Sequence, residues 1–134
     1  VYLQGAHVTS YRGPDHIERI FTSSQSNFAP GKAIRGGIPL CFPQFSNRGP
    51  LPSHGFFRIS EWKVVSSKTD SSACSVILSF ESTEATMKVW PHEFVATCTV
   101  SLNPVQGSTS LTVDVAIQNK SSNRTYYSTP ENRF

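Results

Sequence analysis

Phe94-Val95-Ala96-Thr97-Cys98-Thr99-Val100-Ser101-Leu102 sets Phe94, Ala96, Cys98, Val100 and Leu102 on one side of an extended chain, and Val95, Thr97, Thr99 and Ser101 on the other. Side chains alternate across a strand, so this period of two predicts a half-buried strand. Upstream, Ser75 to Phe80 repeats the pattern through Val76, Leu78 and Phe80. Downstream, a turn carried by Asn103-Pro104 and Gln106-Gly107 leads to Leu111, Val113, Val115 and Ile117, opposite Thr112, Asp114, Ala116 and Gln118. Strands that follow one another through short turns predict a meander.

Further out the signal is weaker. Val1 to Leu3, Ala6 to Tyr11 and Ile17 to Phe21 are short strand candidates, punctuated by Gly5 and by Gly13-Pro14-Asp15, and Trp62 to Val65 opens another. Ser66 to Ser72 reads as a hairpin or surface loop, Thr83 to Val89 as a short helical turn, and the polar stretch Lys120 to Pro130 as fraying. Short strands rich in Thr, Val and Ser at intervals of roughly 8–12 residues predict an all-β fold, an antiparallel β-sandwich.

At 134 residues with 37% hydrophobic content, the chain has the length of one domain and enough apolar material for a core without staples. Twelve Lys and Arg against nine acidic residues leave +3, spread without a basic run. That pattern argues against nucleic acid and membrane surfaces as partners and suits a small anionic ligand. No apolar run approaches the ~20 residues that span a bilayer, and no leader pattern precedes Val1. Cys41, Cys74 and Cys98 are odd in number and widely spaced, which predicts free thiols in a reducing compartment, the cytoplasm.

Chemistry concentrates between Ala33 and Arg58. Ala33-Ile34-Arg35-Gly36-Gly37-Ile38-Pro39-Leu40-Cys41-Phe42-Pro43-Gln44-Phe45-Ser46, followed by Leu51-Pro52-Ser53-His54-Gly55-Phe56-Phe57-Arg58, gathers Gly, Pro, Arg and His between strand-like segments. Arg35 and Arg58 carry planar guanidinium groups that match phosphate or sugar oxygens with paired donors. They could equally be surface residues or salt-bridge to Glu61 or Glu18. Gly36-Gly37 could form an anion-binding backbone nest or only a tight turn. His54, beside Gly55 and claimed by no hydrophobic period, is the first candidate for proton transfer near neutral pH, against the alternative of a loop His bonded to a carbonyl. His7 reads as a satisfied sheet residue, His16 as exposed, and His92 in Trp90-Pro91-His92-Glu93-Phe94 as structural. No His or Cys spacing suits a metal, and no cofactor is implied.

These stretches, with Gly5-Ala6-His7-Val8-Thr9-Ser10, Ile20-Phe21-Thr22-Ser23, Lys32 and Val89-Trp90-Pro91-His92-Glu93-Phe94, resemble the glucose-6-phosphate 1-epimerases, hexose-6-phosphate mutarotases of the aldose 1-epimerase superfamily. The resemblance implies a galactose-mutarotase-like supersandwich and an isomerase that interconverts hexose 6-phosphate anomers by acid–base ring opening. It implies that Arg35 and Arg58 bind substrate and that His54 assists catalysis. Ser53 stands where the family carries a substrate-binding Gln. The family's second half supplies a further His in a His-Thr-Tyr-Phe element and a Glu; here the chain reads Asn123-Arg124-Thr125-Tyr126-Tyr127-Ser128 and ends at Phe134. Residues 1–134 are therefore expected to form a single incomplete domain, nearly inactive alone and prone to self-associate through unpaired sheet edges. The alternative is a non-catalytic sugar-phosphate-binding module.

Overall fold

A computed structural model describes residues 1–70 and 73–121. The expectations for Asn123 to Phe134 and for most of the polar stretch after Lys120 lie outside the described residues. Strands β1 (Lys63–Thr69), β2 (Cys74–Glu81), β3 (Phe94–Val105) and β4 (Ser108–Asn119) form one antiparallel sheet in the order β1-β2-β3-β4, with helix α1 (Glu84–Val89) between β2 and β3. This is the meander that the period of two predicts. Leu78 pairs with Cys98 and Cys98 with Val115, so the alternating apolar residues share one face.

That face is covered by residues 1–62, which make no strand. Their backbone pairs one residue at a time, at Tyr2 with His7, Gln4 with Glu61, Val8 with Ile38, Arg12 with Glu18, Thr22 with Gly36 and Phe42 with Gly55. Pro39 and Pro43, directly after the bridged residues Ile38 and Phe42, lack the N–H that would extend those two bridges into ladders, and strands expected in this layer do not form. Side chains from this layer join the sheet in one core: Ala6, Val8, Leu40, Phe42, Phe56, Phe57 and Trp62 against Leu78, Phe94, Ala96, Cys98 and Val100. Phe42 is central, with its ring centroid 4.4 Å from Phe57, 5.1 Å from Trp90 and 5.8 Å from Phe94. Full burial of such a ring contributes roughly 1.5–3 kcal/mol, so the core holds the segment on either side of Phe42 firmly.

Two expectations shift. Ser66 to Thr69 belong to β1 rather than to a loop, because an edge strand whose seven residues are all exposed shows no apolar alternation. Asn103-Pro104 continue β3, and the turn is Gln106-Gly107 alone, with Gly107 at φ 71°. β2 reaches only Leu102, so at Pro104 a single neighbouring strand requires backbone bonds. The helical turn forms as α1, where Thr83 Oγ1 accepts from the Thr86 N–H at 3.2 Å and Thr86 Oγ1 accepts from the Thr83 N–H at 2.8 Å.

Candidate functional site

The segment from Cys41 to Arg58 leaves the core at Phe42 and returns to it at Phe56. A Cβ at Gly55 would lie 1.9 Å from the Phe42 carbonyl oxygen, and Gly55 sits at φ 66°, so both close approach and conformation demand glycine. Gln44, buried under the loop, holds it from inside. Its Nε2 donates to the Ser46 and Leu51 carbonyls, each at 3.0 Å, and its Oε1 accepts from the Leu51 N–H at 3.0 Å. Three bonds from one amide fix the loop that leads to His54. Gln44 was not read as a site residue, since a Gln between two loop prolines carries no periodic signal.

His54 and Ser46 both have positive φ, 64° and 51°, outside the range favoured by residues with a Cβ. The His54 N–H donates to the Ser46 carbonyl at 3.0 Å, and the Ser46 N–H donates to His54 Nδ1 at 3.2 Å. Cys41 Sγ lies 3.2 Å from the same Nδ1, and the Phe45 ring meets the imidazole edge to face at 5.2 Å. Burial holds the His54 imidazole below the usual histidine range, and the Arg58 guanidinium pushes the same way. Burial also raises the Cys41 thiol against the opposing pull of Arg58. Cys41 is thus a member of the cluster, which its sequence context as a spaced free thiol did not reveal.

Arg58 lies in a short 3-10 turn, Phe57–Ile59, anchored by the buried Phe57. Its Nη2 donates to the Ser53 carbonyl at 3.2 Å, and its Nε is buried without a hydrogen-bond partner. Ser53, His54, Arg58 and Cys41 are therefore brought together. Arg35 stands apart from them, on the preceding loop. Its exposed guanidinium carries no hydrogen bond or ion pair among the described residues, whereas its backbone is tied to Ser26 Oγ and Ser23. Of the two acids offered as salt-bridge partners, Glu18 bonds Ser10, the Tyr11 N–H and Arg12, and Glu61 lines a separate cleft.

The Arg35 loop rests on His7, which is fully buried. His7 Nε2 lies 2.7 Å from the Gly36 carbonyl, an acceptor, so Nε2 carries the proton; Nδ1 is buried and unpartnered. Burial lowers the His7 imidazole, with the Gly36 bond opposing. His16 is exposed, and His92 lies against the Trp90 ring at 4.5 Å. A separate cleft of about 360 Å³ lined by Glu61, Lys63, Ser79, Phe80, Glu81, Ser82 and Thr83 shares no residue with the His54 cluster. The loop chemistry, not that cleft, is where proton-transfer and anion-binding groups meet.

The antiparallel sheet places the chain among the galactose-mutarotase-like folds. A solved structure of a candidate mutarotase from Salmonella typhimurium superposes with a TM-score of 0.73 at 31% identity, covering 85% of this chain and 38% of that one. The Slr1438 protein of Synechocystis sp. PCC 6803 gives 0.72 at 25% identity, covering 89% of this chain and 43% of that one. The sequence profile described as aldose 1-epimerase matches residues 1–130, and the chain belongs to that family. A candidate glucose-6-phosphate 1-epimerase of Cenchrus ciliaris is 39% identical over 117 residues, 84% of this chain and 35% of that protein. A counterpart so named in Salmonella typhimurium is 38% identical over 94 residues, 69% of this chain and 32% of that protein. The chain thus spans about a third of the length of these curated relatives.

Proposed function

We propose that this protein is a mutarotase of hexose 6-phosphates, a glucose-6-phosphate 1-epimerase. The observation that carries the reading is His54, pinned at Nδ1 beside Arg58, in a chain of the aldose 1-epimerase family. Anomer exchange requires a base to take the proton of the anomeric hydroxyl and an acid to protonate the ring oxygen; the ring opens, the carbonyl rotates, and closure reverses the roles. His54 serves this exchange through Nε2. Arg58, whose Nε has no hydrogen-bond partner among the described residues, and Arg35, whose guanidinium has none among them, bind the phosphate and sugar oxygens, and Ser53 adds a hydroxyl beside them. No cofactor enters the reaction.

Among the described residues no carboxylate is bonded to His54, Cys41 or Arg58, so no second proton-transfer group is joined to this cluster there. That observation also favours the second reading, a module that binds sugar phosphate without turning it over, since loss of one transfer partner costs ~10²–10⁴-fold in rate. In either reading the described residues form a single β domain. β1 and β4 each pair on one side among the described residues, and these edges are the route to self-association. Among the described residues no helix is long and apolar enough to cross a membrane. Free Cys41, Cys74 and Cys98 support a cytoplasmic site of action.

The test is exchange spectroscopy of glucose 6-phosphate anomers with and without the chain, with unphosphorylated glucose as control. Acceleration confined to the phosphate supports the mutarotase. Saturable binding without acceleration supports the module, and neither acceleration nor binding by folded protein overturns both.

A further inference from the structure

We infer that Cys41 is a positioning residue that, with the Ser46 backbone, fixes His54 as a neutral imidazole bearing its proton on Nε2. A backbone N–H can only donate, so the Ser46 N–H at 3.2 Å requires a lone pair on His54 Nδ1. With Nδ1 an acceptor, the Cys41 sulfur 3.2 Å away can approach it favourably only as a thiol that also donates. A proton on Nδ1 would face the Ser46 N–H, which cannot accept, and would forfeit that bond, leaving only the weak acceptor of the Cys41 sulfur. The geometry therefore selects one tautomer and disfavours the imidazolium.

Local structure enforces the arrangement. The positive φ of Ser46 and of His54 brings the two residues into reciprocal bonding, and Gln44 holds the Ser46 carbonyl from beneath. Phe45 braces the ring from its edge. The charged and titratable groups facing His54 are Arg58, on the 3-10 turn, and Cys41, on the incoming strand-like segment; burial and the Arg58 charge both disfavour the imidazolium. Their burial keeps the thiol protonated and the imidazole neutral, consistent with the bonding pattern. His54 thus presents Nε2–H outward as a donor. That a sugar oxygen receives this donor rests on the mutarotase reading; the tautomer itself does not.

The experiment is ¹⁵N NMR of the histidine side chains in the full chain across pH, for the unaltered protein, Cys41→Ser and Cys41→Val. The unaltered protein is expected to show His54 Nδ1 at the far-downfield position of an unprotonated ring nitrogen, with Nε2 protonated. Cys41→Ser, which keeps a donor, should preserve this pattern. Cys41→Val should raise the His54 titration midpoint toward the ordinary histidine value and admit the second tautomer. A protonated Nδ1 in the unaltered protein at neutral pH overturns the inference, as does a Cys41→Val spectrum and titration identical to the original. If Cys41→Val fails to fold, the unaltered protein and Cys41→Ser still decide it: a midpoint and tautomer preserved in both support it, and loss of the pattern in a folded Cys41→Ser overturns it. Absence of anomer exchange would refute the mutarotase reading without touching this result.

Discussion

Ser46 and His54 hold one another by two hydrogen bonds, carbonyl to N–H at 3.0 Å and N–H to Nδ1 at 3.2 Å, with both residues at positive φ. The backbone strain and the bonds belong together, because only this conformation turns the imidazole back onto the loop. Everything proposed for the site depends on that loop staying closed.

Gly55 is the first test of closure. Gly55→Ala sets a methyl 1.9 Å from the Phe42 carbonyl oxygen at φ 66°, so the Phe42–Gly55 bridge must open. The variant should lose more than about 3 kcal/mol of stability in urea unfolding. An unchanged midpoint would show that the close approach is not required.

Gln44→Leu removes three hydrogen bonds while keeping bulk. Stability should fall by about 1–3 kcal/mol, and the Leu51 amide should lose its protection from hydrogen exchange. Retained protection of Leu51 would place the fastening of the loop elsewhere.

His7 makes stability pH-dependent. Its folded-state pKa lies below the ordinary 6.5, chiefly through burial, so the unfolded chain binds more protons as pH falls below that value. Stability should therefore be complete above about pH 6.5 and decline as pH drops toward the folded-state pKa. In His7→Gln this part of the decline should flatten, and the Gly36 segment should exchange faster. A slope equal to that of the unaltered chain would remove His7 as its source.

Glu18 behaves in the opposite sense. Bonds from Ser10, the Tyr11 and Ile20 N–H groups and Arg12 bring its carboxyl from 4.5 down to about 2. Its contribution should be present above pH 4.5 and be lost as pH falls toward 2, and Glu18→Gln should remove that dependence. Direct titration of the Glu18 carboxyl by NMR checks the value; a midpoint near 4.5 would refute it.

The sheet was legible because β2, β3 and β4 bury one face, and Val76, Leu78, Cys98 and Val113 carry that face in a period of two. β1 was half-legible, since Ser66 to Thr69 bury nothing. The layer of residues 1–62 was not legible as bridges, because apolar residues such as Val8 and Ile38 look the same in a strand and beside a single bridge. His54, Ser53 and Arg58 were readable from their shared loop, and the structure brings them together. Arg35 was read into the same group, yet its side chain makes no bond to it among the described residues. Cys41 and Gln44 were hidden because their roles arise from folding the loop onto itself across many positions, which no local spacing encodes.

The most direct measurement is titration of the chain with glucose 6-phosphate, followed at the His54 imidazole and the Arg58 guanidinium by NMR, with glucose and with Arg58→Lys as controls. The account predicts saturable shifts at both groups with the phosphate, none with glucose at equal concentration, and at least about tenfold weaker binding in Arg58→Lys, whose ammonium lacks the paired donors. Equal shifts with glucose, or no shift at His54 and Arg58 in folded protein, would contradict it.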